Sequence, residues 1–272
     1  DAALANLVGS ILTNGKAGLI DLNLVKKQKL LKASAYSYLL VDHGLLYISA
    51  SPSQGQSLED VKKLLLNEIE NLKKGNFDDD LIPSIVNNIK KHKIQQTESY
   101  GDRAYMLMDA FTGKLNWRDQ VAYVNDLSKV TKKDIMDFAN KYFGNNYVAV
   151  LKYKGERTDI EKIEKPTITP VETNADKQSA FVKMINQMPS TPVAPVFLDY
   201  NKDLQRSKLG KAEVYYVQNK ENQLYRLNFR YKIGTLNDLK MGLAAQYIQF
   251  LGTDKKSAEQ ISKEFYKIAS SF

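Results

Sequence analysis

The sequence predicts an α+β fold in which helices cover one face of a largely antiparallel sheet. Three observations predict it: a hairpin pattern near the N-terminus, a series of capped helical segments after it, and strand patterns that return at 147–153 and 213–231. The chain has 43% hydrophobic and 26% charged residues and no run of about 18 apolar residues, so we expect a soluble globular protein without a transmembrane segment.

The first predicted elements are a helix and a hairpin. Residues 2–12 are apolar on more than one face, as in a helix packed under a sheet, and Asn14-Gly15 is expected to end this helix. Residues 35–41 and 45–50 are rich in aromatic and branched side chains around Asp42-His43-Gly44, which is typical of two strands joined by a turn.

Helical periodicity then recurs as far as residue 143. Ser57 with Asp60 and Thr131 with Asp134 have the spacing of a capping box, in which side chain and backbone at the start of a helix bond reciprocally. The other predicted helix boundaries are Gly75, Ser99-Tyr100-Gly101, Asn116 and Gly144. The apolar run 147–153 is predicted to be a central strand, and it completes a first domain over residues 1–155.

A change of composition after residue 155 predicts an extended linker. Five of the seven prolines fall between Pro166 and Pro195, within a stretch of weak periodicity that is rich in Thr, Ser, Asn and Asp. We therefore expect residues 156–210 to connect two folded parts, with a short helix at 180–185.

The remaining residues, 211–272, are expected to begin with a sheet. Residues 213–217 and 224–231 flank a turn at Asn219–Asn222, and the second segment alternates between apolar and polar side chains. An apolar helix, the Gly252-Thr253 turn and a helix that begins at Ser257 are predicted to follow.

The stretch 242–262 resembles part of one peptidase family. Its apolar helix, the Gly252-Thr253 turn, the two lysines and the helix start Ser257-Ala-Glu are similar to the start of a catalytic-type domain in the pitrilysin-like zinc peptidases, the inverzincin family of the insulysin and processing-peptidase type. In members with the active helix, Ala-His-x-x-Glu-His precedes Gly-Thr, a basic residue or two and a Ser-Ala-Glu-like helix start. Residues 1–155 resemble the second domain of such a half, whose opening is matched by Gly15–Leu19 and the hairpin after it.

The resemblance implies that the chain is an internal piece of a longer enzyme. Such enzymes are typically built from two similar halves of two domains each, joined by a linker and closing like a clamshell. Residues 1–155 then correspond to the second domain of the N-terminal half, 156–210 to the linker between halves, and 211–272 to the beginning of a degenerate third domain. The zinc-binding half would lie before Asp1, and the absence of an initial Met also indicates a mature or excised product.

The positions of the family's zinc motif carry other residues in this chain. With Gly252-Thr253 held fixed and a short deletion before it, Gln246 falls on the first His of the motif, Gln249 on the Glu and Phe250 on the second His. Zinc needs three good ligands and an open position for water, which neutral Gln and Phe do not supply. We therefore predict no catalytic residue, no metal ligand and no cofactor in this segment, and the resemblance implies zinc in the parent enzyme. The histidines His43 and His92 are expected to lie on the surface.

The resulting hypothesis is a non-catalytic portion of a pitrilysin-type zinc endopeptidase. Its partners would be peptide or unfolded-protein substrates, bound as an added strand at a sheet edge, and the missing catalytic half of the same chain, where a metal-activated water performs hydrolysis. The alternative is a catalytically inactive peptidase-like binding or scaffold protein with no zinc half. An H-x-x-E-H motif upstream of Asp1 would distinguish the enzyme from that alternative.

The net charge and the cysteine content limit which other partners and sites the chain can have. The net charge of +8 comes from Lys and Arg interleaved with Asp and Glu along nearly every segment, so we expect solvated helix faces and no nucleic-acid partner. The unfinished sheet of residues 211–272 has an exposed edge, which leaves a homo-oligomer open. Because cysteine is absent, disulfides and thiolate sites are excluded. The compartment stays open, with a bacterial periplasm or cell envelope as one hypothesis.

Overall fold

A computed structural model describes residues 1–40, 42–156, 158–159, 161 and 163–271. The helices are α1 (Ala2–Leu12), α2 (Leu58–Lys73), α3 (Leu81–Glu98), α4 (Tyr100–Thr112), α5 (Trp117–Leu127), α6 (Lys132–Tyr142), α7 (Ala180–Gln187), α8 (Lys240–Tyr247) and α9 (Ala258–Lys267). The strands are β1 (Lys32–Leu39), β2 (Gly44–Ser51), β3 (Gln205–Leu209) and β4 (Ala212–Tyr216), and single helical turns span Asp21–Val25 (π) and Ile248–Phe250 (3-10).

The chain forms two compact units. The first comprises Asp1–Leu151 with Glu221–Phe272, and the second comprises Lys152–Lys220. No helix in the described part of the chain is long and apolar enough to cross a membrane. The three-part division that the resemblance implies, with boundaries at 155 and 210, stays a prediction about the parent protein.

Helix α1 lies at the centre of the core of the first unit. Leu7, Val8, Ile11 and Leu12 are fully buried, because this helix contacts β1, α2, α3 and α6 on several of its faces. Burial of each such side chain contributes about 1.5–3 kcal/mol. The strand approaches closely at Gly9, where an added Cβ would lie 3.3 Å from the Cα of Tyr36. The predicted first helix is confirmed.

Strands β1 and β2 form the predicted antiparallel hairpin. Their register pairs Lys32 with Ser51 and Leu39 with Gly44, and the N–H of Leu40 donates to the carbonyl of His43 across the turn at 2.7 Å. Val41, which the sequence assigns to the first strand, lies outside the described residues. One face of the hairpin packs on the core through the side chains of Ala33, Ala35, Leu46, Ile48 and Ala50.

The predicted helix caps are present, with one difference of detail. Thr131 accepts from the N–H of Asp134, whose carboxylate accepts from the Thr131 N–H, so the capping box of α6 is complete. Ser57 accepts from the N–H of Asp60, but the Asp60 carboxylate bonds the Ser57 hydroxyl instead of its backbone. That box is therefore only half formed. Ser99 ends α3 and begins α4, as the predicted break requires.

Two strand predictions were wrong. The apolar run 147–153 and the alternating run 224–231 form no strand, and most of their side chains are exposed, with Val148 90% and Tyr225 89% accessible. An apolar pattern shows which residues suit a sheet, but a strand forms only where a partner accepts and donates its backbone hydrogen bonds. In the described part of the chain neither run has such a partner strand.

The predicted strand 213–217 is present as β4 but with another partner. It pairs with β3 across the turn at Gly210, not with residues 224–231, and β3 itself lies in the stretch that the sequence assigns to the linker. Gly210 has a φ of +60°, which suits this turn because glycine has no Cβ to oppose it. The short linker helix is confirmed as α7, capped by Ser179.

The predicted α+β class is confirmed. Helices form most of the regular structure, and both sheets within the described ranges are two-stranded and antiparallel. In the first unit α1 packs directly against β1, and one face of the β1–β2 hairpin packs on the apolar core that the helices share.

Candidate functional site

The three motif positions lie at the junction of α8 and the 3-10 turn after it. Gln246 is in the last turn of α8, whereas Gln249 and Phe250 belong to the 3-10 turn, so the three residues do not share one continuous α-helical face. All three are exposed. The side-chain amide of Gln249 donates to the carbonyl of Gln246 at 3.1 Å, and the ring of Phe250 lies 6.1 Å from that of Tyr247.

These side chains do not fit a zinc ion. A catalytic zinc site needs imidazole or carboxylate donors, and this junction offers only amides and an aromatic ring. Within the described ranges, no three His, Cys, Asp or Glu side chains are grouped so as to hold a metal ion. His43 lies in the hairpin turn and His92 on α3, both exposed. The structure brings neither histidine to the motif positions.

The Gly252-Thr253 turn has a structural role. A Cβ on Gly252 would lie 2.5 Å from the carbonyl oxygen of Lys256, so no side chain fits at this position. The N–H of Thr253 donates to the same carbonyl at 2.8 Å, and the Thr253 hydroxyl accepts from the N–H groups of Lys255 and Lys256 at 3.3 and 3.1 Å. Ser257 and Gln260 then form a complete capping box for α9, at the helix start that the sequence predicts.

Helix α9 packs against the N-terminal part of the first unit. Tyr266 is 8% exposed and belongs to the same core cluster as α1. The carbonyl of Tyr266 accepts from the Asn88 side chain at 2.7 Å, and the hydroxyl of Ser262 donates to the carbonyl of Lys16 at 3.1 Å. The ion pairs Lys263–Asp78 (2.9 Å) and Lys267–Asp80 (2.6 Å) border the contact.

A buried carboxylate lies beside this contact. Asp21 accepts from the backbone N–H groups of Asn14, Gly15 and Gly18 at 2.7, 2.8 and 3.2 Å. An added Cβ on Gly18 would lie 2.6 Å from the carbonyl of Leu12, so the turn requires glycine there.

Burial raises the pKa of Asp21 and outweighs the three N–H bonds, which lower it. Burial and the nearby Asp21 charge raise the pKa of Tyr266. Sequence reasoning missed Asp21, although a carboxylate that follows Asn-Gly and a second Gly is a signal for such a turn.

The β1–β2 hairpin presents an aromatic outer face. Tyr36 and Tyr47 are paired across the strands with ring centroids 5.2 Å apart, and Tyr38 faces Leu45 beside them. All four side chains are exposed, which places a continuous apolar strip on the side of the hairpin away from the core.

The two edges of the hairpin differ. On β1 the hydroxyl of Thr13 accepts from the N–H of Ala35 at 2.6 Å and donates to its carbonyl at 3.1 Å, so this edge is covered at its middle. These bonds also show that the backbone N–H and C=O groups of Ala35 point away from β2. Its partner Ile48 therefore points its own backbone groups away from β1, as do Leu46 and Ala50.

The outer edge of β2 is open. Among the described residues, no protein group bonds to the outward backbone N–H and C=O groups of Leu46, Ile48 and Ala50. Sequence reasoning predicted binding at a sheet edge but did not identify which edge. That choice depends on Thr13, a residue outside the strands whose role no local pattern indicates.

Comparisons with known proteins found similarity among solved structures only. No protein-family model matches this sequence, and no curated protein matches it. Among solved structures, one similar chain is described as a protease from Helicobacter pylori, at 24% sequence identity and a TM-score of 0.49. The similarity covers 53% of this chain and 35% of that one. This chain thus spans much less than two thirds of the neighbour's length.

Proposed function

We propose that this chain is a non-catalytic portion of a pitrilysin-type zinc endopeptidase. In this proposal it forms part of the chamber wall and binds unfolded peptide segments, while hydrolysis takes place in an H-x-x-E-H half outside the chain. Zinc belongs to that half. The sequence resemblance of residues 242–262 supports the family, and the amide and aromatic side chains at positions 246, 249 and 250 support the absence of chemistry here.

The observation that carries peptide binding is the open edge of β2. Backbone N–H and C=O groups in a row can pair with any extended peptide, irrespective of its sequence, which suits a protein that handles unfolded chains. The outer strip of Tyr36, Tyr38, Leu45 and Tyr47 extends beside this edge and offers apolar surface to alternate side chains of an added strand. Together they predict β-strand addition at β2.

The test replaces one outward donor of this edge. Ala50→Pro removes the outward N–H of β2 and keeps the hydrogen bonds to β1, since proline is tolerated at the edge of a sheet. Ala50→Ser is the matched control, because it changes the side chain and keeps the N–H. We expect Ala50→Pro to weaken binding of a fluorescently labelled unfolded peptide about fivefold, measured by anisotropy, and Ala50→Ser to leave it unchanged.

Two outcomes would overturn the proposal. If both variants, shown to be folded by circular dichroism, bind the peptide as the wild type does, then the β2 edge is not the binding surface. Stoichiometric zinc on the purified chain, measured by atomic emission, or peptide cleavage by it, would overturn the non-catalytic assignment. In the parent protein we expect a chelator to abolish peptidase activity.

A further inference from the structure

One face of α3 contributes to an open depression of about 260 Å³ in the first unit. The residues that line it are Asn87, Lys90, Lys91 and Ile94 of α3, together with Leu224, Ile268 and Ala269. The four helical residues lie within two turns and share one side of α3, because positions three and four apart are neighbours on a helix. The depression is thus lined by both lysine and aliphatic side chains.

The lysines of this depression are not neutralised. In the described part of the chain, neither Lys90 nor Lys91 forms an ion pair with a carboxylate, whereas Lys263 and Lys267 of α9 are paired with the acidic residues that precede α3. The basic run continues through His92 and Lys93. The C-terminal half of α3 therefore carries a local positive charge that attracts anions.

The aliphatic residues of the lining are accessible to a ligand. Ile94 and Leu224 are half-buried, and Ile268, just beyond α9, is 72% exposed. These side chains would lose water on contact with an apolar group of a ligand, at a gain of roughly 25 cal/mol per Å² covered. Among the described residues, no aromatic side chain lines the depression, so this lining offers no stacking surface of the kind that sites for single-stranded nucleic acid use. The lining favours a peptide.

We propose that this depression binds an acidic–apolar segment of a peptide, with a carboxylate between Lys90 and Lys91 and the neighbouring apolar side chain against Ile94, Leu224 and Ile268. The charge complementarity of the unpaired lysines determines the class of the ligand. The inference rests on the proposed function and deepens it. The β2 edge would bind extended peptides of any sequence, whereas the depression would select peptides that contain an acidic–apolar segment.

The test compares two peptides and two double variants by fluorescence anisotropy. One labelled peptide contains Glu beside Leu, and the other has Gln in place of each Glu. K90Q/K91Q removes the charges of the depression, and K27Q/K63Q removes the same charge from exposed lysines elsewhere. We expect the dissociation constant of the acidic peptide to rise about fivefold in K90Q/K91Q and less than about twofold in K27Q/K63Q at low ionic strength. The Gln peptide should bind all three proteins alike.

Equal weakening in the two double variants would show a general effect of net charge and overturn the proposal. So would equal binding of the two peptides to the wild type, or tighter binding of a single-stranded oligonucleotide that displaces the acidic peptide. If Ala50→Pro weakens binding and K90Q/K91Q does not, the peptide function stands and this site falls. If neither peptide binds the wild type, both proposals fail.

Discussion

Helices α8 and α9 are close in sequence and differ in almost every feature that holds a helix in place. Helix α8 begins without a side-chain cap and buries none of its residues. Helix α9 begins with a complete capping box and buries Ser262 and Tyr266 against the rest of the first unit. A catalytic motif has to be held within about 0.5 Å of its working geometry, which requires packing of the kind that α9 has and α8 lacks. Helix α9 is thus fixed by packing, whereas α8 buries none of its residues.

The largest expected effect that separates the two helices is the loss of a buried ring. Tyr266→Ala leaves a cavity in the core, so we expect the free energy of unfolding to fall by about 3 kcal/mol. The matched change on α8 is Tyr247→Ala, where the side chain is 61% exposed and we expect less than about 0.5 kcal/mol. Urea unfolding of both variants measures the difference. Equal losses would mean that α9 is not docked more firmly than α8.

The second effect concerns the carboxylate next to the α9 contact. Asp21→Ala leaves three backbone N–H groups without their acceptor, and we expect it to cost about 2 kcal/mol in urea unfolding. Ser10→Ala is a matched control, because the Ser10 hydroxyl bonds only an exposed carbonyl in its own helix. A similar cost for both changes would contradict a special role for Asp21.

Asp21 also predicts a pH dependence. Burial raises the pKa of Asp21, so the folded protein holds this proton more tightly than the unfolded chain. The corresponding contribution to stability is complete below the ordinary pKa of 3.8 and is lost as the pH rises through the folded-state pKa. Stability of the wild type relative to Asp21→Asn should therefore decrease over that window. The opposite slope would mean that the three N–H bonds outweigh burial.

The smallest expected effect concerns whether the cap of α9 contributes to the stability of the whole first unit. Ser257→Ala removes the bond to the Gln260 N–H, and we expect a cost of about 1 kcal/mol in global unfolding. Ser179→Ala removes the equivalent cap from α7, which buries no residue, so it should leave global stability nearly unchanged. Thermal unfolding of the two variants at one protein concentration compares them. If Ser179→Ala lowers the stability as much as Ser257→Ala does, the loss reflects the cap alone and not the packing of the helix against the core.

The sequence predicted what depends on neighbouring residues. The helix starts at Ser57, Thr131 and Ser257 were predicted, and in each the hydroxyl accepts from an N–H three residues away. The β1–β2 hairpin was also predictable from neighbouring residues, because its two strands are adjacent in sequence and pair with each other. The runs 147–153 and 224–231 have the composition of strands, but pairing depends on distant residues, and their patterns gave no information about a partner.

The candidate binding edge was only partly predictable. The sequence indicated peptide binding at a sheet edge, yet the choice of β2 follows from the hydroxyl of Thr13, which reaches Ala35 across 22 residues. The lysines of the α3 depression were visible as a basic run, and interleaved charge elsewhere in the chain made them look like an ordinary solvated face. Their lack of carboxylate partners in the described residues is a three-dimensional property.

The Thr13 cover has a consequence for the stoichiometry of self-association. A hairpin with two open edges can add strands without limit, which is the geometry of a fibre. Here Thr13 covers the middle of the β1 edge at Ala35, which favours β2 as the edge through which two copies would join. The resulting four-stranded sheet would have a closed strand at each end. Edge-to-edge association would then stop at a dimer, because the Thr13 hydroxyl covers the middle of each outer strand.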